Sequence, residues 1–243
     1  MGKAVSRNSA FSMINKGLSV VFPLVTVSYI SRVLGAAGIG EVSSAQNLAT
    51  YFSMAAALGI PSYGVRAIAQ SKRDENSCNK TFSELFTINL ISSIIATVVY
   101  LITAFCFKIN NSNTALTLIF SSIIVFNIIN IEWVYQGYEE YGYIMIRSFV
   151  IKIISLLLLF IFVRKKSDLV AYAFLICFGS IGIYVLNFIN LKRNVNFSFC
   201  NISLKKHIRP IMTFFVSVIA LEIYSLLDVS ILTVMYTASS LGY

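Results

Sequence analysis

Phe22-Pro23-Leu24-Val25-Thr26-Val27-Ser28-Tyr29-Ile30-Ser31-Arg32-Val33-Leu34-Gly35-Ala36-Ala37-Gly38-Ile39-Gly40 decides the fold. It is the end of a long apolar helix with a proline inside it and an arginine at its far end. Three glycines, Gly35, Gly38 and Gly40, then turn the chain back. A soluble domain has little use for such a run. In a membrane, Pro23 breaks the helix ladder where a cavity needs a bend, and Arg32 places a fixed positive charge where an anion could pass.

Working outward, composition agrees. Hydrophobic residues make up 57% of the 243-residue chain and charged residues 12%, about half the charge of an average soluble domain. Mean hydropathy is +0.79. The chain is therefore expected to be an all-α integral membrane protein. The net charge of +9 comes from 19 Lys and Arg against 10 Asp and Glu. The basic residues sit in short clusters between apolar runs, so they flank spans and face anionic lipid. No contiguous basic domain exists to cradle a phosphate backbone, and nucleic acid is not an expected partner. Cys78, Cys106, Cys177 and Cys200 are isolated, and the sole histidine, His207, has no ligand-spaced neighbour. Disulfide scaffolds, metal sites, Cys/His catalysis and cofactors are not expected.

Seven stretches are long and apolar enough, or nearly so, to cross a hydrocarbon core about 30 Å thick. They cover about 10–33, 42–64, 84–107, 115–135, 145–163, 168–190 and 211–236, the fifth being the shortest. With the N-terminus inside, fourteen of the 19 Lys and Arg fall on the inner side, which sets a cytoplasmic N-terminus. Arg164-Lys165-Lys166 on the outer side is the exception. The segment from Ser62 to Gln70 reads either as a short interfacial helix or as a plain helix end. Ile208-Arg209-Pro210 places proline well for the start of the seventh span. The first and seventh spans both follow a basic segment and end in small residues and glycine, a hint of a six-helix repeat. The expected organisation is a six-helix lobe over 1–195, then a connector and first helix of a second lobe over 196–243.

Charges inside spans are functional candidates because burying them in lipid is expensive. Glu222 lies about a dozen residues into the seventh span, about 18 Å deep and near the midplane. Asp228 is six residues on, about 120° around the helix. Lys152 lies in the first turns of the fifth span and either snorkels to the inner headgroups or faces the interior. Glu132, near the inner end of the fourth, either faces the interior or clamps Arg147 or Lys152. Arg32 has an interfacial-anchor reading as well. Asn89, Ser92, Ser93, Asn127, Asn130, Asn187 and Asn190 recur in spans three, four and six. For most of them interhelical hydrogen bonding is the stronger reading.

Several blocks carry a family resemblance. They are Phe22-Pro23-Leu24 through Tyr29-Ile30-Ser31-Arg32-Val33-Leu34-Gly35; Leu58-Gly59-Ile60-Pro61-Ser62-Tyr63-Gly64-Val65-Arg66; Phe82-Ser83-Glu84-Leu85-Phe86; and Ile131-Glu132-Trp133-Val134-Tyr135-Gln136-Gly137-Tyr138-Glu139-Glu140-Tyr141 with Arg147 following. Asp228 followed by Leu241-Gly242-Tyr243 adds a fifth. On these the chain resembles the Wzx-type oligosaccharide flippases of O-antigen and capsule assembly, relatives of multidrug extruders and lipid II flippases. Members usually have twelve or more spans in two lobes, so this chain looks like the first lobe plus one helix of the second.

The resemblance implies a non-enzymatic transporter in the bacterial inner membrane. Its cargo would be an undecaprenyl-pyrophosphate-linked oligosaccharide, and its partners membrane lipids, a polysaccharide polymerase and a chain-length regulator. It implies Arg32, Arg66 and Lys152 as anion contacts and Glu222 and Asp228 as ion-coupling groups. Pro23, Gly35, Gly38 and Gly40 would be hinges as two lobes rock. The alternatives are a drug or cation extruder, a lobe inactive without its second half, and a membrane enzyme such as a polymerase or acyltransferase. An enzyme would call for a His/Asp or paired-acid cluster on a large loop, whereas His207 lies in a short basic one.

Overall fold

The computed structural model describes residues 2–106, 114–191, 195–198 and 202–235, with no strand among them. Its helices are α1 (Gly2–Ala57), α2 (Ile60–Ser71), α3 (Glu75–Cys106), α4 (Thr114–Phe126), α5 (Glu132–Gly137), α6 (Tyr141–Phe162), α7 (Leu169–Asn190) and α8 (Lys205–Met235). Among the described residues four helical stretches are long and apolar enough to cross a membrane: 11–71, α3, α6 and α7. Their outward faces are apolar, with Ile91, Ile95, Val98 and Ile102 of α3 and Ile146, Val150 and Leu157 of α6 all exposed. Such a surface fits hydrocarbon and not water.

The seven expected spans differ from this in two places. The first two are one helical element, α1, broken at a single residue. Gly35 has φ 72° and ψ 174°, a region open essentially to glycine alone. Both arms line one cavity, Pro23 and Thr26 from the first, Ser43 and Gln46 from the second. A straight helix would put Pro23 and Gln46 about 35 Å apart. One glycine thus does what three were expected to do. The second arm then stops at Leu58, whose φ of 50° precedes Gly59. From there α2 runs as a separate short helix with Pro61 in its first turn, burying Ile60, Gly64, Ala67 and Ile68 on one face.

The fourth expected span is broken too. α4 is 13 residues long, a 3₁₀ turn covers Asn127–Ile129, and α5 begins at Glu132. Breaking a helix frees carbonyls, and each one left bare in lipid costs several kcal/mol. Asn89 answers for them. Its Nδ2 donates to the carbonyls of Asn127 at 2.8 Å and Ile128 at 3.1 Å. Asn127 Nδ2 donates to Ser93 Oγ at 3.3 Å, and Ser92 Oγ donates to the Ala56 carbonyl. These polar residues are interhelical glue placed where helices end.

Three of the family-resembling blocks converge. Ile60 and Ile68 of α2, Phe82 and Leu85 of α3, and Trp133 and Tyr135 of α5 share one buried cluster. Trp133 stacks on Phe82 at 5.8 Å between centroids. A Cβ on Gly64 would stand 2.6 Å from the Trp133 ring. At the opposite end Ile30 and Leu34 pack on Leu159 and Val163. There Tyr29 Oη donates to the Val163 carbonyl at 2.8 Å. The α6–α7 turn is tied by Asp168, which accepts from the amides of Arg164 at 3.0 Å and Lys165 at 2.9 Å. The Arg164 amide bond is the main reason its carboxyl sits below the usual carboxylate range.

Gly59 is the tightest of the glycine contacts. A Cβ there would run into the Ile211 carbonyl and sit 2.7 Å from the Phe215 nitrogen, both backbone atoms of α8. Gly40 has open space around it. Gly59→Ala is expected to cost about 1–3 kcal/mol by overpacking, whereas Gly40→Ala gains up to about 1 kcal/mol of helix propensity. Thermal unfolding of the detergent-solubilised variants, followed by helix circular dichroism, should show opposite shifts.

Candidate functional site: a groove with two polar ends

The two arms of α1 splay because Gly35 turns the chain at one end only. The gap between them is floored by α6 and α7 and forms a cavity of about 450 Å³. Its walls are largely apolar, with Ile30, Leu159, Leu175 and Ile176 among them. Its polar groups are few: Thr26, Ser43, Gln46, Lys152, Ser155, Tyr172 and Ser180. That mixture of apolar walls and sparse polar groups is the usual character of a ligand site.

Pro23 lines this cavity. It cannot donate to the turn before it, and the Thr26 hydroxyl folds back on the carbonyls of Phe22 and Pro23 at 3.0 and 3.1 Å. Lys152 of α6 is half-buried, and its Nζ donates to Ser19 Oγ at 3.0 Å. Among the described residues that is its one hydrogen bond, and an ammonium carries three hydrogens. Ser155, one turn on, is 7% exposed, and its hydroxyl has no hydrogen-bond partner among the described residues. Lys152 is the cationic residue of the cavity wall.

A second cavity of about 320 Å³ adjoins the first, sharing Ser180 and Ile183 of α7. It is lined by Asn130, Glu132 and Gln136 with Pro61, Trp133 and Tyr184. Behind Glu132 lies Arg147, whose side chain is 2% exposed against 32% for the glutamate. Arg147 Nη2 meets Glu132 Oε2 at 2.8 Å, and Nη1 donates to Asn187 Oδ1 in a short bond. The guanidinium thus joins α5, α6 and α7. Tyr135 Oη strengthens the same corner by donating to the Asn187 carbonyl at 2.6 Å.

The structure distributes the expected site residues unevenly. Lys152 and Pro23 share the groove, and Glu132 makes the clamp on Arg147. Arg32 and Arg66 are exposed and line neither cavity. Gly35 is the turn, Gly38 packs against Leu169, and Gly40 touches nothing near its Cα. The side chains of Glu222 and Asp228 lie outside the described residues.

One polar cluster was not expected. Glu84 of α3 is fully buried and accepts from three donors: the Ser203 amide at 2.8 Å, Lys206 Nζ at 2.7 Å and His207 Nε2 at 2.9 Å. Tyr63 Oη bonds His207 Nδ1 at 2.8 Å. These groups latch the start of α8 onto α2 and α3. The chain separation of 123 residues between Glu84 and His207 hid the pair. The available signal was a lone glutamate inside an otherwise apolar block at a span boundary.

An all-helical bundle with an apolar outer surface and an internal groove is a multi-pass membrane protein. The chain belongs to the polysaccharide biosynthesis protein family, whose model matches residues 5–243. It is 23% identical over 235 residues to a Shigella dysenteriae protein provisionally named an O-antigen transporter, covering 94% of this chain and 58% of that one. A protein of the same provisional name from Escherichia coli strain K12 is 24% identical over 174 residues, covering 71% of this chain and 41% of that one. The chain thus spans about half the length of these relatives. No solved structure matches it.

Removing one partner of a buried ion pair costs about 3–5 kcal/mol. Arg147→Ala should therefore lower thermal stability by that order, while Arg66→Ala, on an exposed residue, should leave it within about 0.5 kcal/mol. Glu84→Ala should free the connector, read as faster tryptic cleavage at Lys205 and Lys206 with the bundle still helical.

Proposed function

We propose that this chain forms a helical lobe of a carrier for undecaprenyl-pyrophosphate-linked oligosaccharide repeat units in O-antigen or capsule assembly. The observation that carries the reading is the groove: apolar walls with a lysine among the lining residues. Pyrophosphate and sugar cannot enter hydrocarbon bare, since each unsatisfied polar group costs several kcal/mol. An ammonium replaces phosphate hydration, and the serine, threonine and glutamine side chains replace water at hydroxyls. The family and the names of both relatives support this cargo class. In the bacterial inner membrane with a cytoplasmic N-terminus, the Glu84 end of the bundle faces inward. Residues 1–195 then form the lobe, and 196–243 lead into a second one.

The test is export. The chain is expressed in a strain deleted for its own O-antigen transporter, with and without the C-terminal part of the Shigella dysenteriae relative supplied in trans. Surface O-antigen is expected to return in at least one arm. Lys152→Ala should then lower it about tenfold or more, the worth of one charge-assisted hydrogen bond. Export untouched by Lys152→Ala rejects the assignment of the groove.

A further inference from the structure

The groove and its clamp leave Arg164-Lys165-Lys166 unused. Val163, the residue before this triplet, is buried in one cluster with Ile30 and Leu34 of α1, and Tyr29 Oη reaches its carbonyl at 2.8 Å. Leu169, shortly after it, packs beside Gly38. The triplet therefore stands at the Gly35 end of the bundle, opposite the Glu84 latch. Cations placed there run against the bias that gathers Lys and Arg at the other end.

All three side chains are exposed, and so is Arg32, three residues after Tyr29. Tyr29 also meets Phe160 edge-on at 4.7 Å between centroids. Among the described residues no acid forms an ion pair with any of the four. The acids on the segments that meet here are Glu41 and Asp168. Asp168 is spent on the turn itself, accepting from the amides of Arg164 and Lys165 and from the Ser167 hydroxyl. Arg164 Nε donates to the Phe160 carbonyl at 3.2 Å, which folds the guanidinium back over the end of α6. Next to these cations the surface is apolar. Phe160, Ile161 and Phe162 end α6 with exposed side chains, and Val170, Phe174 and Phe178 form an exposed stripe on α7. Spaced four residues apart, they share one face of the helix and run about 12 Å away from the turn.

We propose that the α6–α7 turn is a docking surface for an anionic phospholipid of the leaflet at the Gly35 end, its headgroup phosphate against Arg164, Lys165 and Lys166 and its acyl chains against Phe162 and the α7 stripe. Unpaired cations beside hydrocarbon-facing side chains are complementary to an anionic head on an apolar tail. A water-soluble anion would meet the charges and leave the stripe bare, and a zwitterionic lipid would cover the stripe and leave the charges unmatched. Neither cavity contains these residues, so the lipid is a neighbour of the groove and not its occupant. Its phosphate holds the turn at headgroup level, and through the Tyr29 bond to Val163 it holds the first arm of α1 near the Gly35 joint as well.

Phe162 is 59% exposed, so Phe162→Trp sets a fluorescent reporter beside the acyl chains without disturbing the core. The full chain carrying it is reconstituted in mixed phosphatidylglycerol and phosphatidylcholine vesicles in which one lipid or the other has brominated chains. Trp133 is the sole native tryptophan, and the unsubstituted chain in the same vesicles gives its contribution for subtraction. Quenching should show phosphatidylglycerol favoured over phosphatidylcholine about fivefold or more, the worth of one cation near an anionic headgroup. Arg164→Gln, Lys165→Gln and Lys166→Gln together should bring that ratio to about one, with helix circular dichroism unchanged. Arg66→Gln, Arg73→Gln and Lys205→Gln together remove the same charge from exposed residues at the opposite end and should leave the ratio as it was. Equal quenching by the two lipids overturns the docking surface, and so does a preference that survives loss of the triplet. A preference lost equally in the second variant overturns it too, because it then reports net charge and not this turn.

Discussion

A guanidinium in the interior of a membrane bundle cannot be left alone. Arg147 is in that position, and the geometry around the groove follows from how its charge is met. Glu132 must come from α5 and Asn187 from α7, so both helices are held against α6 at one depth. The six-residue α5 does not continue the ladder that α4 began, because a 3₁₀ turn and a non-helical Ile131 separate them. The break between them in turn needs Asn89. One charge thus accounts for a chain of polar residues on four helices.

The groove has its shape for a different reason. Gly35 reverses the chain at one end while Pro23 disturbs the ladder in the middle of the first arm. Two helical arms joined by one residue can touch at the joint and diverge away from it. Lys152 comes into that divergence from α6, held by the Ser19 hydroxyl. The carboxylate end and the ammonium end are then parts of one surface along α7.

Much of this was legible in the sequence. Hydropathy alone carries the all-helical membrane fold, because only the backbone-satisfied helix or a closed barrel survives in lipid. The Glu132–Arg147 clamp and the interior placement of Lys152 were readable from charges inside apolar runs. The broken fourth span was not, because an averaged apolar window does not register which carbonyls a distant asparagine will satisfy. Arg32 is exposed and lines neither cavity; in a sequence, a positive charge at a helix end looks the same whether it faces a passage or the interface. The blocks that carry the family resemblance turn out mainly to pack against one another around Trp133. Motif strength at Gly64 reflects close contact, whereas Phe22, Pro23, Thr26, Val27 and Ile30 of the first block line the groove, and Glu132, Trp133 and Gln136 line the adjoining cavity.

The Glu84 latch has a consequence in time. Its histidine is 123 residues further along the chain, and ribosomes add about 5–20 residues per second. The carboxylate therefore waits roughly 6–25 s for its partners after it is made. During that wait α3 is already in the membrane with its acid unmatched, and α2 has no seat for the Gly59 turn. The corner where α2 and α3 meet is therefore closed only once the start of α8 has been made.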